Sequence, residues 1–160
     1  MNVTSGETNA WTRALELAGS LCVAAFALND DRPATLARLR EELTGGQTRR
    51  ALLLLSVLDT DYTVALADVL AFRALSHRDA LLVRQIFGRL PRRQSLSVVP
   101  AAVQGQLART DDDDAYRRLA ELLSYLGLDE ALRELAEAAR KSEDAHVREV
   151  GEDFHPDSRR

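Results

Sequence analysis

The chain has one cysteine, one lysine, one methionine and three histidines in 160 residues, and only 5% of it is aromatic. Each scarcity removes a class of protein. A single Cys22 can form neither an internal disulfide nor a cysteine-based metal site, and it suits a reducing, cytoplasmic compartment. His77, His146 and His155 are scattered and show no metal-ligand spacing such as H-E-x-x-H, so surface roles are expected and no metal or cofactor is implied. With so few rings, the core has to be built from Leu, Ala and Val. Four prolines and eight glycines leave long stretches uninterrupted for helices. No stretch sustains the period-two alternation of a half-buried strand. Lys141 is the only lysine, so almost all positive charge is arginine, as the codon bias of a GC-rich genome would give.

Recognisable catalytic wording is also missing. "TGGQT" (44–48) lacks the Gly-Lys-Ser/Thr ending of a phosphate loop and follows no strand, so it reads as a helix terminator. No serine or cysteine stands in a nucleophile motif. "TDDDD" (110–114) has neither the spacing nor the glycine of a calcium loop, and acidic residues are favoured where a helix begins. The reading is of a protein that is not an enzyme. The net charge of −4 and pI near 5.4 argue against a dedicated nucleic-acid binder, which usually carries a basic excess.

Apolar residues make up 46% of the chain, enough for one domain that buries roughly 70% of its unfolded surface. "ALELAGSLCVAAFAL" (14–28) is interrupted by Glu16 and too short to span a bilayer, so a buried helix is expected, with Cys22 a small core residue. Helices are predicted over about 11–28, 33–43 (capped by Asp31, with Pro33 in the first turn), 47–58, 61–75, 77–90, 98–109 (Ser97 as cap, Pro100 in the first turn, "RRQSLS" a loop before it), 113–126, 129–141 and 144–153. Residues 1–10 and 155–160 should be flexible ends. The middle helices "ALLLLSVL" and "VALADVLAFRAL" are apolar nearly all round and need covering on several sides, whereas helices near the C-terminus are half polar.

The chain also repeats itself. "QTRRALLLLSVLDTD" (47–61) and "DAYRRLAELLSYLGLD" (114–129) align so that Arg49-Arg50, Ser56, Leu58 and Asp61 fall on Arg117-Arg118, Ser124, Leu126 and Asp129. The offset is 68 residues, or two units of about 34. Val83-Arg84 stands where the intermediate unit should begin, and Val147-Arg148 one unit after Tyr116-Arg117. A helical hairpin of this size cannot bury its apolar face alone, and stacked neighbours make a continuous core.

"SEDAHVREVGEDF" (142–154) resembles the start of a HEAT repeat: Asp144, then Val147-Arg148, then Val150. Asp113 with Tyr116-Arg117, and Asp79 with Val83-Arg84, are looser versions. Ala145 stands where such repeats usually have proline. Tetratricopeptide repeats share the period, but no run of their Trp, Gly, Tyr and Pro positions is present. A generic solenoid or an irregular helical bundle stays open beside the resemblance.

The fold expected from the resemblance is all-α: a short right-handed α-solenoid, HEAT/armadillo-like, of about four antiparallel helix pairs over 11–154. Such a fold implies recognition of another protein, with the arginine of each unit contributing to contacts between units. The second helices of the pairs would line the groove, exposing residues of mixed sign such as Arg38, Asp68, Arg73, Gln104, Arg133 and Glu137. The candidate partner-binding residues are Arg73, Arg78, Arg84, Arg89, Arg92 and Arg93, which share their segment with one acid, Asp79. They could meet an acidic protein surface or, alternatively, a phosphate backbone, or simply form a solvated face. A homodimer built on an apolar helix is the third alternative; no membrane partner is expected.

Overall fold

The structure is a computed structural model that describes residues 5–155. The expected flexible ends fall in part on residues 1–4 and 156–160, outside the described residues. Ten helices and no strand are found among the described residues: α1 Ser5–Ala27, α2 Arg32–Thr44, α3 Thr48–Leu55, α4 Thr60–Ala65, α5 Ala67–Ala74, α6 Ala80–Gly88, α7 Arg92–Leu107, α8 Asp113–Tyr125, α9 Asp129–Arg140 and α10 Ala145–Asp153. The protein is all-α, as its composition predicts.

Local signals set several of the ends. Asp31 accepts a hydrogen bond from the Ala34 amide at the start of α2, with Pro33 in the first turn, where a missing N–H leaves no gap in the ladder. Asp112 and Asp144 cap α8 and α10 in the same manner. Gly127 follows α8 at a φ of 62°, the left-handed conformation that closes a helix and that a side chain would oppose.

Two expectations about helix bounds are corrected. The segment 61–75 is not one helix but α4 and α5, broken at Leu66. Nothing in "TVALADVL" announces the break. The Ala65 carbonyl it frees accepts a hydrogen bond from Arg40 of α2 at 3.2 Å, so the partner that stabilises the break lies 25 residues away in sequence. "RRQSLS" is not a loop: α7 begins at Arg92 and carries Pro100 in its interior. The buried stripe Ser95, Val99, Val103 and Gln106 explains this, because packing along one face favours the helix on both sides of the missing Pro100 hydrogen bond.

The helices lie in two rows. α3, α6, α8 and α10 begin at residues 48, 80, 113 and 145, and each packs on the next. On the other side α2 packs on α5, and α5 on α7. One core of Leu39, Leu43, Leu52, Leu70, Phe87, Leu119, Leu123 and Leu135 runs between the rows from α2 to α9. α10 closes the far end against α9, so closely that Gly151 has no room for a side chain.

Polar contacts cross the same boundaries at a regular sequence distance. Arg84, fifth residue of α6, pairs with Glu121, ninth of α8, at 2.6 Å; Arg117, fifth of α8, pairs with Asp153, ninth of α10, at 2.9 Å. The same rung therefore occurs twice in the row.

Candidate protein interface

The expected buried first helix is the largest correction. Of the α1 residues whose side chains are described, Ala25 alone is buried. Trp11 is 67% exposed, Leu17 61% and Phe26 78%, and Cys22 is exposed rather than in the core. The chain bends by 118° between α1 and α2, which carries most of α1 away from the body. Only its C-terminal end touches down, where Cys22, Ala25 and Phe26 border a small groove shared with Val57, Leu58 and Asp59. The Tyr62 hydroxyl fixes the bend by donating to the Leu28 carbonyl at 3.2 Å or to Asn29 Oδ1 at 3.0 Å. Among the described residues no single helix is long and apolar enough to cross a membrane.

The departure of α1 leaves α2 and α3 uncovered on one side. Between them lies an open groove of about 340 Å³ with Leu28, Leu39, Ala51 and Leu54 on its floor and Arg38, Glu42, Gln47 and Arg50 on its rim. Arg38 is itself paired with Glu41 and Glu42, at 2.8 and 2.6 Å, so the rim is of mixed sign. Sequence reasoning missed this site because it follows from where α1 goes, not from what α2 and α3 contain.

The six arginines singled out in the sequence do not converge. Arg73 donates to the Leu43 carbonyl at the end of α2. Arg84 pairs with Glu121. Arg89 donates to the carbonyls of Leu55 and Leu58 at 3.1 and 2.9 Å, where α3 ends. Arg92 donates to those of Leu126 and Gly127 at 3.0 and 2.8 Å, where α8 ends. Arg78 and Arg93 are exposed. Helix C-termini leave carbonyls without intrahelical donors, and a guanidinium satisfies two at once while complementing the negative end of the dipole. Three of these arginines thus tie the ends of neighbouring helices.

Other charged positions are engaged in the same manner. Arg40 and Asp68 form a two-pronged pair at 2.7 and 3.1 Å, which holds the Asp68 carboxyl below the usual carboxylate range and the guanidinium above its own. Burial, with the nearby charge of Asp111, pushes the Tyr116 phenol up. No group of three or more His, Cys, Asp or Glu among the described residues could hold a metal ion. The chain matches no family model, no curated protein and no solved structure.

Proposed function

We propose that the chain is a short HEAT-like α-solenoid whose task is non-enzymatic recognition of another protein. The regular start of α3, α6, α8 and α10 and the repeated Arg–acid rung support the solenoid reading. The observation that carries the function is the uncovered groove between α2 and α3. Each unit is covered on one side by the next: α2 lies on α5, α3 on α6 and α6 on α8. The α2–α3 pair has no preceding pair to cover its other side. An apolar floor with a rim of both charge signs fits one amphipathic helix of a partner protein, whose apolar stripe fills the floor while its flanking charges meet Arg38, Glu42 and Arg50. A phosphate backbone fits less well. It needs a continuous field of free cations, and four of the six candidate arginines are tied to carbonyls or Glu121.

The test is affinity capture with three forms: the native chain, Leu54→Glu in the groove, and Arg93→Glu outside it. The expected result is a protein retained by the native and Arg93→Glu forms, insensitive to nuclease, and lost with Leu54→Glu while the helical circular dichroism is unchanged. Material that nuclease removes, or a protein that Leu54→Glu retains equally, would overturn the reading.

A further inference from the structure

A second unfilled surface lies toward the other end of the array. α7 packs on α5, α6 and α8, and α9 packs on α8 and α10, which leaves a cleft between α7 and α9 themselves. It consists of two adjoining hollows of about 110 and 130 Å³ that share Pro100, Ala131 and Glu134. The α7 wall is largely apolar: Leu96, which is half exposed, then Pro100 and Leu107, along one side of the helix. Buried Leu123 of α8 lies at the bottom. The α9 wall carries Ala131 together with Glu130 and Glu134, one helical turn apart.

Apart from the Gln104 amide, the polar groups offered there are hydrogen-bond acceptors. Glu130 and Glu134 are exposed and form no ion pair among the described residues. No arginine or lysine lines either hollow. The nearest cations in sequence, Arg93 before Leu96 and Arg133 between the two acids, are exposed and pair with neither. Pro100 adds a third acceptor. It has no N–H, so the Leu96 carbonyl loses its helical donor on the side of α7 where both residues line the cleft. The neighbouring Ser97 hydroxyl donates instead to the carbonyls of Arg93 and Gln94.

We propose that this cleft takes a basic amphipathic helix from a partner protein. The apolar stripe of that helix rests on Leu96, Pro100 and Leu107, and its lysines or arginines meet Glu130, Glu134 and the Leu96 carbonyl. The site and its sign are distinct from the α2–α3 groove, and the inference stands without that groove. Charge complementarity selects the occupant. A phosphate backbone or an anionic membrane surface would bring negative charge and acceptors to a wall that already has both. The exposed α1 of a second copy has Arg13 as its only cation. A free polyamine would meet the carboxylates but leave Leu96 and Leu107 in water.

The experiment is fluorescence anisotropy of the full chain with labelled synthetic peptides of about 14 residues, in which leucines at the 3–4 spacing alternate with lysines. Saturable binding to the native chain is expected, weakening several-fold between about 50 and 300 mM salt. A peptide with glutamate for every lysine should not bind, and one with serine for every leucine should bind at least ten-fold more weakly. Glu130→Gln with Glu134→Gln should weaken the lysine–leucine peptide at least ten-fold with unchanged helical circular dichroism, because both side chains are exposed. Glu143→Gln with Glu149→Gln, which removes the same charge elsewhere, should leave the affinity within about two-fold, as should Leu54→Glu in the other groove. A protein captured through this cleft is lost with the Glu130 and Glu134 changes and kept with Leu54→Glu, so failure here and failure of the α2–α3 reading are told apart. No saturable binding up to about 0.5 mM, equal loss in the two glutamine pairs, or equal affinity for the serine peptide would each overturn the inference.

Discussion

The Arg84 guanidinium of α6 lies 2.6 Å from the Glu121 carboxylate of α8, and the two side chains are 21% and 32% exposed. Arg118 approaches the same carboxylate at 3.4 Å from within α8. Glu121 is therefore shared between a contact across the row and one along its own helix. A double-mutant cycle of Arg84→Ala and Glu121→Ala, read by urea denaturation, should give a coupling energy of about 0.5–1.5 kcal/mol. A value indistinguishable from zero would show that the rung is geometric only.

Arg89 should matter more than its exposure suggests. Its two hydrogen bonds close the C-terminal end of α3, where Leu55 and Leu58 are themselves buried. Arg89→Ala is expected to cost about 1 kcal/mol, and Arg89→Lys to recover only part, since an ammonium cannot present the planar fork. Arg93→Ala, for which no such contact exists in the α7 start, should change the denaturation midpoint little.

Two glycines in helices should respond in opposite ways. A Cβ on Gly151 would come within 2.7 Å of the Ala136 carbonyl and of the Arg140 backbone nitrogen, so α10 would have to move off α9. Gly151→Ala should destabilise by about 1–3 kcal/mol. A Cβ on Gly105 meets nothing within 4 Å, and Gly105→Ala in the helix interior should stabilise by about 0.5–1 kcal/mol. Thermal melts of the two variants give the comparison directly.

Acid should weaken the link between α2 and α5. The hydrogen bond from Arg40 lowers the Asp68 pKa in the folded protein. A depressed carboxyl contributes its stability above the unfolded pKa, and that contribution fades as pH falls through the folded value. Both side chains are about half exposed, so solvent screening keeps the effect below about 1 kcal/mol. Asp68→Asn should flatten the acid limb of stability against pH by that amount. An unchanged limb would show that the pair does not couple to folding.

How far the sequence carried the reading differs from helix to helix. Asp31 with Pro33 marked the start of α2, and the segments 113–126 and 129–141 matched α8 and α9 to within a residue, because capping is a local hydrogen-bonding problem, solved within four residues. Arg49-Arg50 and Arg117-Arg118 lie in α3 and α8, whose starts, at 48 and 113, are 65 residues apart and not the 68 of the sequence match. The break at Leu66 and the early start of α7 were not legible. Their stabilising partners, the Arg40 guanidinium and the buried stripe through Val99, act across the fold.

The arginines show the same division. Their clustering between 73 and 93 was plain from the sequence, but charge density does not say what a guanidinium touches. Packing decided that Arg73, Arg89 and Arg92 each reach a different helix end.

Residue order alone determined that this chain is helical and where α2, α8, α9 and α10 start and stop, because propensity and capping act over a few neighbours. The fate of α1 was decided only in three dimensions. Its apolar run suggested a buried helix, yet burial requires a wall as well as a suitable side chain. The 118° bend after Ala27 takes Trp11, Leu17 and Leu21 away from α2 and α3, leaving the helix and the groove each without a cover.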